Sequence, residues 1–182
     1  MSVGLLLDES GSMCSCDRCT YARSSAIILY DFCKALHIPV TVYGHSTSGS
    51  SVELYSYAEF ESIDNDDKYR MMDIAARGSN RDGAALRFVA EQLVKRPEEV
   101  KILILVSDGQ PAAPGYYGSA AEEDLRGIRQ EYRRKGVLFI AAAIGEDKQN
   151  IERIYGDSFM DITDLNQLPV KLTAAVKRHM RV

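Results

Sequence analysis

The sequence predicts an α/β fold: a doubly wound, mostly parallel six-stranded sheet with one antiparallel edge strand and helices on both faces. Three observations predict it. Short apolar runs alternate with amphipathic stretches along the chain, without internal repeats or a low-complexity linker, which is the pattern of a parallel sheet wrapped by helices. The runs "VGLLL" and "ILILV" are continuously apolar, as strands covered on both faces must be. The length of 182 residues suits one domain able to bury roughly 70% of its unfolded surface, so residues 1–182 are read as a single domain.

Each element follows in order. Val3–Leu7 is a central strand. From Asp17 to Leu36 a helix is expected, because Ala22, Ala26, Leu29, Cys33 and Leu36 recur at steps of three and four and form a stripe that packs on the sheet. "IPVTVYGHS" and "SVELYSYAEF" alternate like half-exposed strands, and the Ser/Gly-rich "STSGSS" between them makes a hairpin that places an antiparallel strand at the sheet edge. "DNDDKYRMMDIAAR" reads as a short helix, "GSNRDG" as a loop, and Ala84–Lys95 as a helix with Leu86, Ala90 and Leu93 inward. "VKILILV" is the most strand-like segment and stops at "SDGQPAAPGYYG", whose prolines and glycines continue no regular element. A helix over Ser119–Lys135, a strand "VLFIAAAI", a short helix near Ile151, a strand near Phe159 and a final helix from Pro169 complete the alternation. The chain starts almost inside its first strand, which suggests a domain taken from a longer protein.

Composition removes several function classes. A hydrophobic content of 46%, a charged content of 26% and a formal net charge of −4 leave no basic stripe for a phosphate backbone, so nucleic acid is not an expected partner. No apolar run approaches the roughly 20 residues of a membrane span, and the N-terminus lacks the pattern of a signal peptide. A cytoplasmic protein without a membrane partner is expected. Four cysteines, three of them crowded between Cys14 and Cys19, suit reduced thiols or ligands better than a disulfide framework.

In doubly wound sheets, ligands bind outside the carboxyl ends of the strands, where connections leave in opposite directions. Two apolar runs are followed at once by "DESGS" and "SDG", so Asp8 and Asp108 are expected side by side. "GSNRDGAAL" lies in a loop before a helix and can close over the same edge. Asp8, Ser10, Ser12, Asn80, Asp82 and Asp108 then line one oxygen-rich pocket, the kind of shell that hard divalent cations take. Alternate spacing points Asp8, Ser10 and Ser12 the same way. Because hydroxyls are neutral, they leave a cation undercompensated, and such a cation seeks an external carboxylate.

"DESGSM", "NRDGAAL" and "VSDGQP", in this order and on these elements, resemble the metal-ion-dependent adhesion site (MIDAS) of a von Willebrand factor A (vWA) domain, and the likeness runs from the first strand to the last helix. The resemblance implies that Ser10 and Ser12 ligate one ion, Mg²⁺ or else Mn²⁺ or Ca²⁺. It implies too that Asp8 orients them and bonds the ion's waters, and that Asp108 stands close by. Where the family's second loop supplies a threonine, this chain has Asn80. Either the Asn80 amide oxygen replaces the hydroxyl, the option favoured here, or Asp82 contributes and adds charge. "NRDGAALRFVAEQL" followed by "RPEEVKILILVSDGQP" is most similar to the domains that end cobaltochelatase CobT-type subunits and nitric-oxide-reductase activation proteins. That likeness implies a module that docks an acidic group of a protein partner beside a MoxR-type AAA+ ATPase, in metal insertion or metalloenzyme activation. The chain has no G-x-x-x-x-G-K-[ST] loop with which to hydrolyse ATP itself.

The strongest rival is a haloacid-dehalogenase-type phosphotransfer enzyme with Asp8 as nucleophile. That chemistry needs a second acid two residues on, and the position holds Ser10. "ESGSM" is not the G-x-S-x-G of a serine hydrolase, and G-x-G-x-x-G is missing for a dinucleotide. Of the histidines, His37 and His179 are not obviously placed, and His45, after the second strand, is read as structural or superficial although it can approach the pocket. C-x-C-x-x-C offers Cys14, Cys16 and Cys19, but zinc generally takes four ligands, and Cys33 is set roughly 21 Å from Cys19 along a helix. Cys33 is therefore read as a small core hydrophobe and the others as reduced thiols, with a three-thiolate site completed by Asp17, His45 or a second chain as the alternative. "DNDDKYR" and "EYRRK" are read as solvated helix ends. In "PAAPGYYG", Tyr116 and Tyr117 follow Asp108 closely and are the expected partner-contact residues.

Overall fold

The computed structural model describes residues 1–15, 17–61, 64–109, 111–144 and 148–162, together with 170, 171, 173 and 174. The elements in chain order are β1 (Ser2–Asp8), α1 (Arg18–Ala35), β2 (Val40–Ser48), β3 (Ser51–Ala58), α2 (Asp67–Arg70), α3 (Asp82–Val94), β4 (Lys101–Ser107), β5 (Ala112–Ala113), β6 (Tyr116–Tyr117), α4 (Gly118–Arg134), β7 (Val137–Ala143), α5 (Lys148–Tyr155) and β8 (Phe159–Asp161). Among the described residues the main sheet has six strands in the order β3-β2-β1-β4-β7-β8. Only β3 runs antiparallel, against β2. The predicted class is the observed one.

Side-chain alternation along β1 explains the two cores. Successive strand residues face opposite sides of a sheet, and Leu5 and Leu7 join the cluster under α1, whereas Leu6 joins the cluster under α3, α4 and α5. All three leucines are wholly buried. Truncating one of them to alanine in such a core costs about 2–5 kcal/mol, which is why a strand covered on both sides reads as an unbroken apolar run. The chain turns from building the sheet one way (β1 to β2 and β3) to building it the other way (β4 to β7 and β8). The carboxyl ends of β1 and β4 therefore lie side by side at the switch point, with Leu7 opposite Val106.

Three expectations are corrected or left aside. The helix expected over "DNDDKYRMMDIAAR" is one α-turn, α2, followed by a 3-10 turn over Met71–Asp73. The acids of the segment bond Arg70 and Tyr30: Asp64 accepts from Arg70 Nη2 at 2.8 Å and Asp67 from Tyr30 Oη at 2.6 Å. These bonds fix a compact knot in place of a longer helix. The loop after Asp108 does contain regular structure, because Ala112–Ala113 pairs antiparallel with Tyr116–Tyr117 across Pro114–Gly115. Gly115 has φ +70°, and proline followed by glycine at positive φ is the sequence of a type II turn. The helix expected from Pro169 falls largely outside the described residues. No helix among the described residues is long and apolar enough to cross a membrane.

Candidate metal centre

Strand β1 ends at Asp8, and three segments converge on its carboxylate. Oδ1 accepts the Ser10 backbone N–H at 2.8 Å, a two-residue loopback that tightens the turn after the strand. Oδ2 accepts the Ser107 hydroxyl at 2.9 Å from the end of β4, and the Asn80 amide at 3.2 Å from the loop before α3. Asp8 is 1% exposed, so it works as a tie between the strand ends and the second loop.

The hydroxyls stand outward of it. Ser10 Oγ is 3.0 Å from Ser12 Oγ, and Ser12 Oγ donates to Asp108 Oδ1 at 3.1 Å. Ser10 is buried and Ser12 exposed, so the row opens toward solvent at Ser12. The other oxygen of Asp108 takes Arg18 Nη1 at 2.7 Å. Sequence reasoning passed over Arg18, which lay inside the cysteine cluster that drew the attention there.

The second loop is used differently from expectation. Asn80 is brought into the pocket, but its amide oxygen accepts the Ala112 N–H at 2.6 Å while its NH₂ donates to Asp8. The side chain thus bridges Asp8 to the hairpin after Asp108. Asp82, 2% exposed, lies with Oδ1 3.2 Å from His45 Nε2, at ion-pair distance but outside hydrogen-bond geometry, and that oxygen is buried with no hydrogen-bond partner among the described residues. His45 itself is wholly buried, so of the two readings, structural or superficial, it is structural, with its ring against Asp82. The parallel register Asp8–His45 puts it beside the last residue of β1, inside β2, which runs on to Ser48 and so past the point where the sequence had ended that strand.

Charge is concentrated in this pocket. Burial raises the Asp8 pKa above the ordinary carboxylate value, and the neighbouring charge of Asp82 raises it further. Asp108 is likewise raised, by burial and then by Asp8, with Ser12 and Arg18 offsetting part of the effect. Burial alone would keep His45 neutral, but the Asp82 carboxylate beside it, with Asp8 and Glu9, outweighs that and raises its pKa. All three groups bind protons more tightly folded than unfolded. Their contribution to stability is therefore full below the unfolded pKa values and is lost as pH rises through the folded ones. Without divalent ions, urea unfolding should show more stability at pH 6 than at pH 8, chiefly through His45. Higher stability at pH 8 would contradict this assignment.

Among the described residues no three His, Cys, Asp or Glu side chains form a ready-made cation cage. An ion here would depend on the hydroxyls of Ser10 and Ser12, on Asp108 and on water. The donor set fits a hard divalent cation: neutral hydroxyls in a row ending on the Asp108 carboxylate, with the Asp8 carboxylate bonded to the Ser10 N–H behind them. Among the described residues no thiol joins this set. Cys33 is buried and its thiol is pushed up to about 12 by burial, Cys19 Sγ donates to the Ile74 carbonyl at 3.4 Å, Cys14 is an exposed free thiol, and Cys16 lies outside the described residues.

The two tyrosines part company. Tyr116 Oη donates to Asp124 at 2.8 Å and its ring lies 5.5 Å from the Arg81 guanidinium, so it packs the hairpin onto the second loop. Tyr117 is 69% exposed and alone presents its ring to solvent.

Residues 66–180 match the family profile described as the cobalamin biosynthesis protein CobT VWA domain. The uncharacterized protein YojO of Bacillus subtilis is 26% identical over 188 residues, covering 96% of this chain and 29% of its own length. Protein NorD of Brucella suis is 34% identical over 97 residues, covering 52% of this chain and 15% of its own length. The chain thus spans less than a third of these relatives. Among solved structures, proximal thread matrix protein 1 of the mussel byssus superposes with a TM-score of 0.66 at 21% identity, over 96% of this chain and 46% of that one. The same protein with a zinc-occupied MIDAS motif gives a TM-score of 0.61, also at 21% identity and the same coverage.

Proposed function

This chain belongs to the CobT VWA-domain family, and from that premise we propose that it is a divalent-cation-dependent protein-interaction module without catalytic activity of its own. One observation carries the reading: the hydroxyls of Ser10 and Ser12 form a row with Asp108 at the switch point of the sheet, open to solvent at Ser12, with Asp8 buried behind them. Ser10, Ser12 and Asp108 would hold one ion, Mg²⁺ or a similar cation, with Asp8 and Asn80 organising them and Asp82 adding charge behind. When bound, the ion supplies a position for a carboxylate from outside. The exposed ring of Tyr117 stands on the hairpin that follows Asp108 and offers a partner an apolar contact beside that carboxylate.

The partner is a protein bearing an acidic group, in a cytoplasmic system worked by a MoxR-type AAA+ ATPase, for cobalt insertion or nitric-oxide-reductase activation. Similarity to the CobT profile and to NorD supports this placement. For the rival phosphotransfer reading, Asp8 would need a free oxygen, yet both of its oxygens accept hydrogen bonds and the residue is buried. Metal-dependent phosphatase activity abolished by Asp8→Asn would overturn the module reading.

The direct test is calorimetric titration of Mg²⁺ or Mn²⁺ into wild type and into the Ser10→Ala/Ser12→Ala double variant. Affinity should fall by at least about tenfold while circular dichroism stays that of the wild type. Equal affinity would remove the ion from this loop. A pull-down comparing wild type with Asp108→Ala would then separate ion-dependent partners from the rest.

A further inference from the structure

Arg18 occupies the position where the pocket needs a positive charge. It opens α1, and its Nη1 lies 2.7 Å from Asp108 Oδ2 and 3.4 Å from the Ser12 carbonyl oxygen. Asp108 is the carboxylate that also accepts the Ser12 hydroxyl, itself 3.0 Å from Ser10 Oγ. The guanidinium therefore reaches the same carboxylate that an ion on these hydroxyls would use. Among the described residues, the His45 ring sits against Asp82, and the Arg18 guanidinium sits against Asp108.

A guanidinium stays charged at any pH a protein survives, so it cannot make way for a metal by losing a proton. Two like charges a few ångströms apart repel strongly in a pocket of low dielectric. The side chain must move instead, and it has an exit: Arg18 keeps 15% of its side-chain surface exposed, and Ser12 beside it is exposed. We propose that Arg18 is the resident counter-cation of this centre, neutralising Asp108 until a divalent ion displaces it, and so setting the threshold at which the ion binds. The inference rests on the metal reading above and adds the competitor to it. It also gives the module a two-state element: Asp108 faces either an internal guanidinium or an ion able to receive an outside carboxylate.

The sign of the effect separates this role from a structural one. A residue that only shaped the pocket would weaken metal binding when replaced, whereas a competitor would strengthen it. Free Mn²⁺ can be followed by electron paramagnetic resonance during titration of wild type, Arg18→Gln and Arg18→Lys, with unfolding temperatures measured in chelator. Arg18→Gln should bind Mn²⁺ about tenfold more tightly than wild type, and its metal-free unfolding temperature should fall. Arg18→Lys keeps a point charge but loses the planar fork; it should fall between the two and secures the comparison if the glutamine variant folds poorly. Binding by Arg18→Gln that is equal to or weaker than wild type, with wild type still binding, would overturn this inference and leave the metal reading standing. Absence of Mn²⁺ binding in all three proteins would overturn both.

Discussion

Glu9→Ala should destabilise the protein by about 3 kcal/mol and loosen the whole candidate metal centre. Glu9 is wholly buried; its carboxylate accepts Tyr57 Oη at 2.6 Å and Arg77 Nε at 2.7 Å. Its main chain is tied as tightly, with N–H to the His45 carbonyl at 2.9 Å and C=O accepting Arg77 N–H at 2.7 Å. One residue thus clamps the turn after β1 to the end of β2 and to the segment leading to Asn80. Removing the carboxylate empties a space that Gly44 was kept small to admit, since a Cβ there would lie 1.8 Å from Glu9 Oε1. It also leaves the buried Tyr57 hydroxyl without its acceptor. Arg77 is about a third exposed and stacks 4.1 Å from the Tyr55 ring, so water and the ring absorb part of the lost pairing, and the lower end of the roughly 3–5 kcal/mol range for broken buried pairs applies. Glu9→Gln keeps the shape and an acceptor for Tyr57 and should lose about half as much. Urea denaturation with unchanged slope checks both, and an alanine variant within about 1 kcal/mol of wild type would show that the clamp carries little.

Glu9 also marks where sequence reasoning stopped. Strands buried on both faces were legible because continuous apolar runs have few other uses, and β1, β4 and β7 lie where "VGLLL", "ILILV" and "VLFIAAA" are written. Two apolar runs ending in acids placed Asp8 and Asp108 at one edge. In the spacing D-x-S-x-S, Glu9 was the intervening position and attracted no role. Its burial depends on Tyr57 and Arg77, 48 and 68 residues away, which reach it only through the pairing of β1 with β2 and of β2 with β3, and through the bond of the Arg77 N–H to the Glu9 carbonyl. His45 was hidden for the same reason, since a single histidine within β2 carries no periodicity of its own and its neighbour Asp82 lies in a different segment. The two-residue strands of the Pro114–Gly115 hairpin are too short to show alternation, so Tyr116 and Tyr117 read as an exposed pair. Once the turn folds back, alternate residues take opposite faces, and Tyr116 turns to Asp124 while Tyr117 stays outside.

Gly78→Ala should cost about 2–3 kcal/mol and, unlike an ordinary destabilising change, should also weaken divalent-ion binding by about tenfold. Gly78 lies where the second loop crosses the end of β2. A Cβ at this position would come within 2.4 Å of the Thr47 carbonyl oxygen and 3.2 Å of Ser46 Oγ. The first of these is main chain and cannot swing aside. The same crossing holds the bridge between Thr47 and Ser79, with N–H···O distances of 2.7 and 3.0 Å, and the 2.6 Å bond from Gly11 N–H to the Gly78 carbonyl. Relief of the contact must therefore shift Ser79 and Gly11 together. Ser79 precedes Asn80, which bonds Asp8, and Gly11 lies between Ser10 and Ser12, so the displacement reaches both loops of the centre at once. Gly49→Ala is the matched control: its φ of +60° makes alanine strained, but no atom lies within 4 Å of the added carbon. It should lose about 1 kcal/mol and keep the ion affinity of wild type. If both glycine variants bound Mn²⁺ as tightly as wild type, the second loop would be shown to hold its place without the Thr47–Ser79 crossing, and the coupling of the two loops through Gly11 and Gly78 would have to be given up.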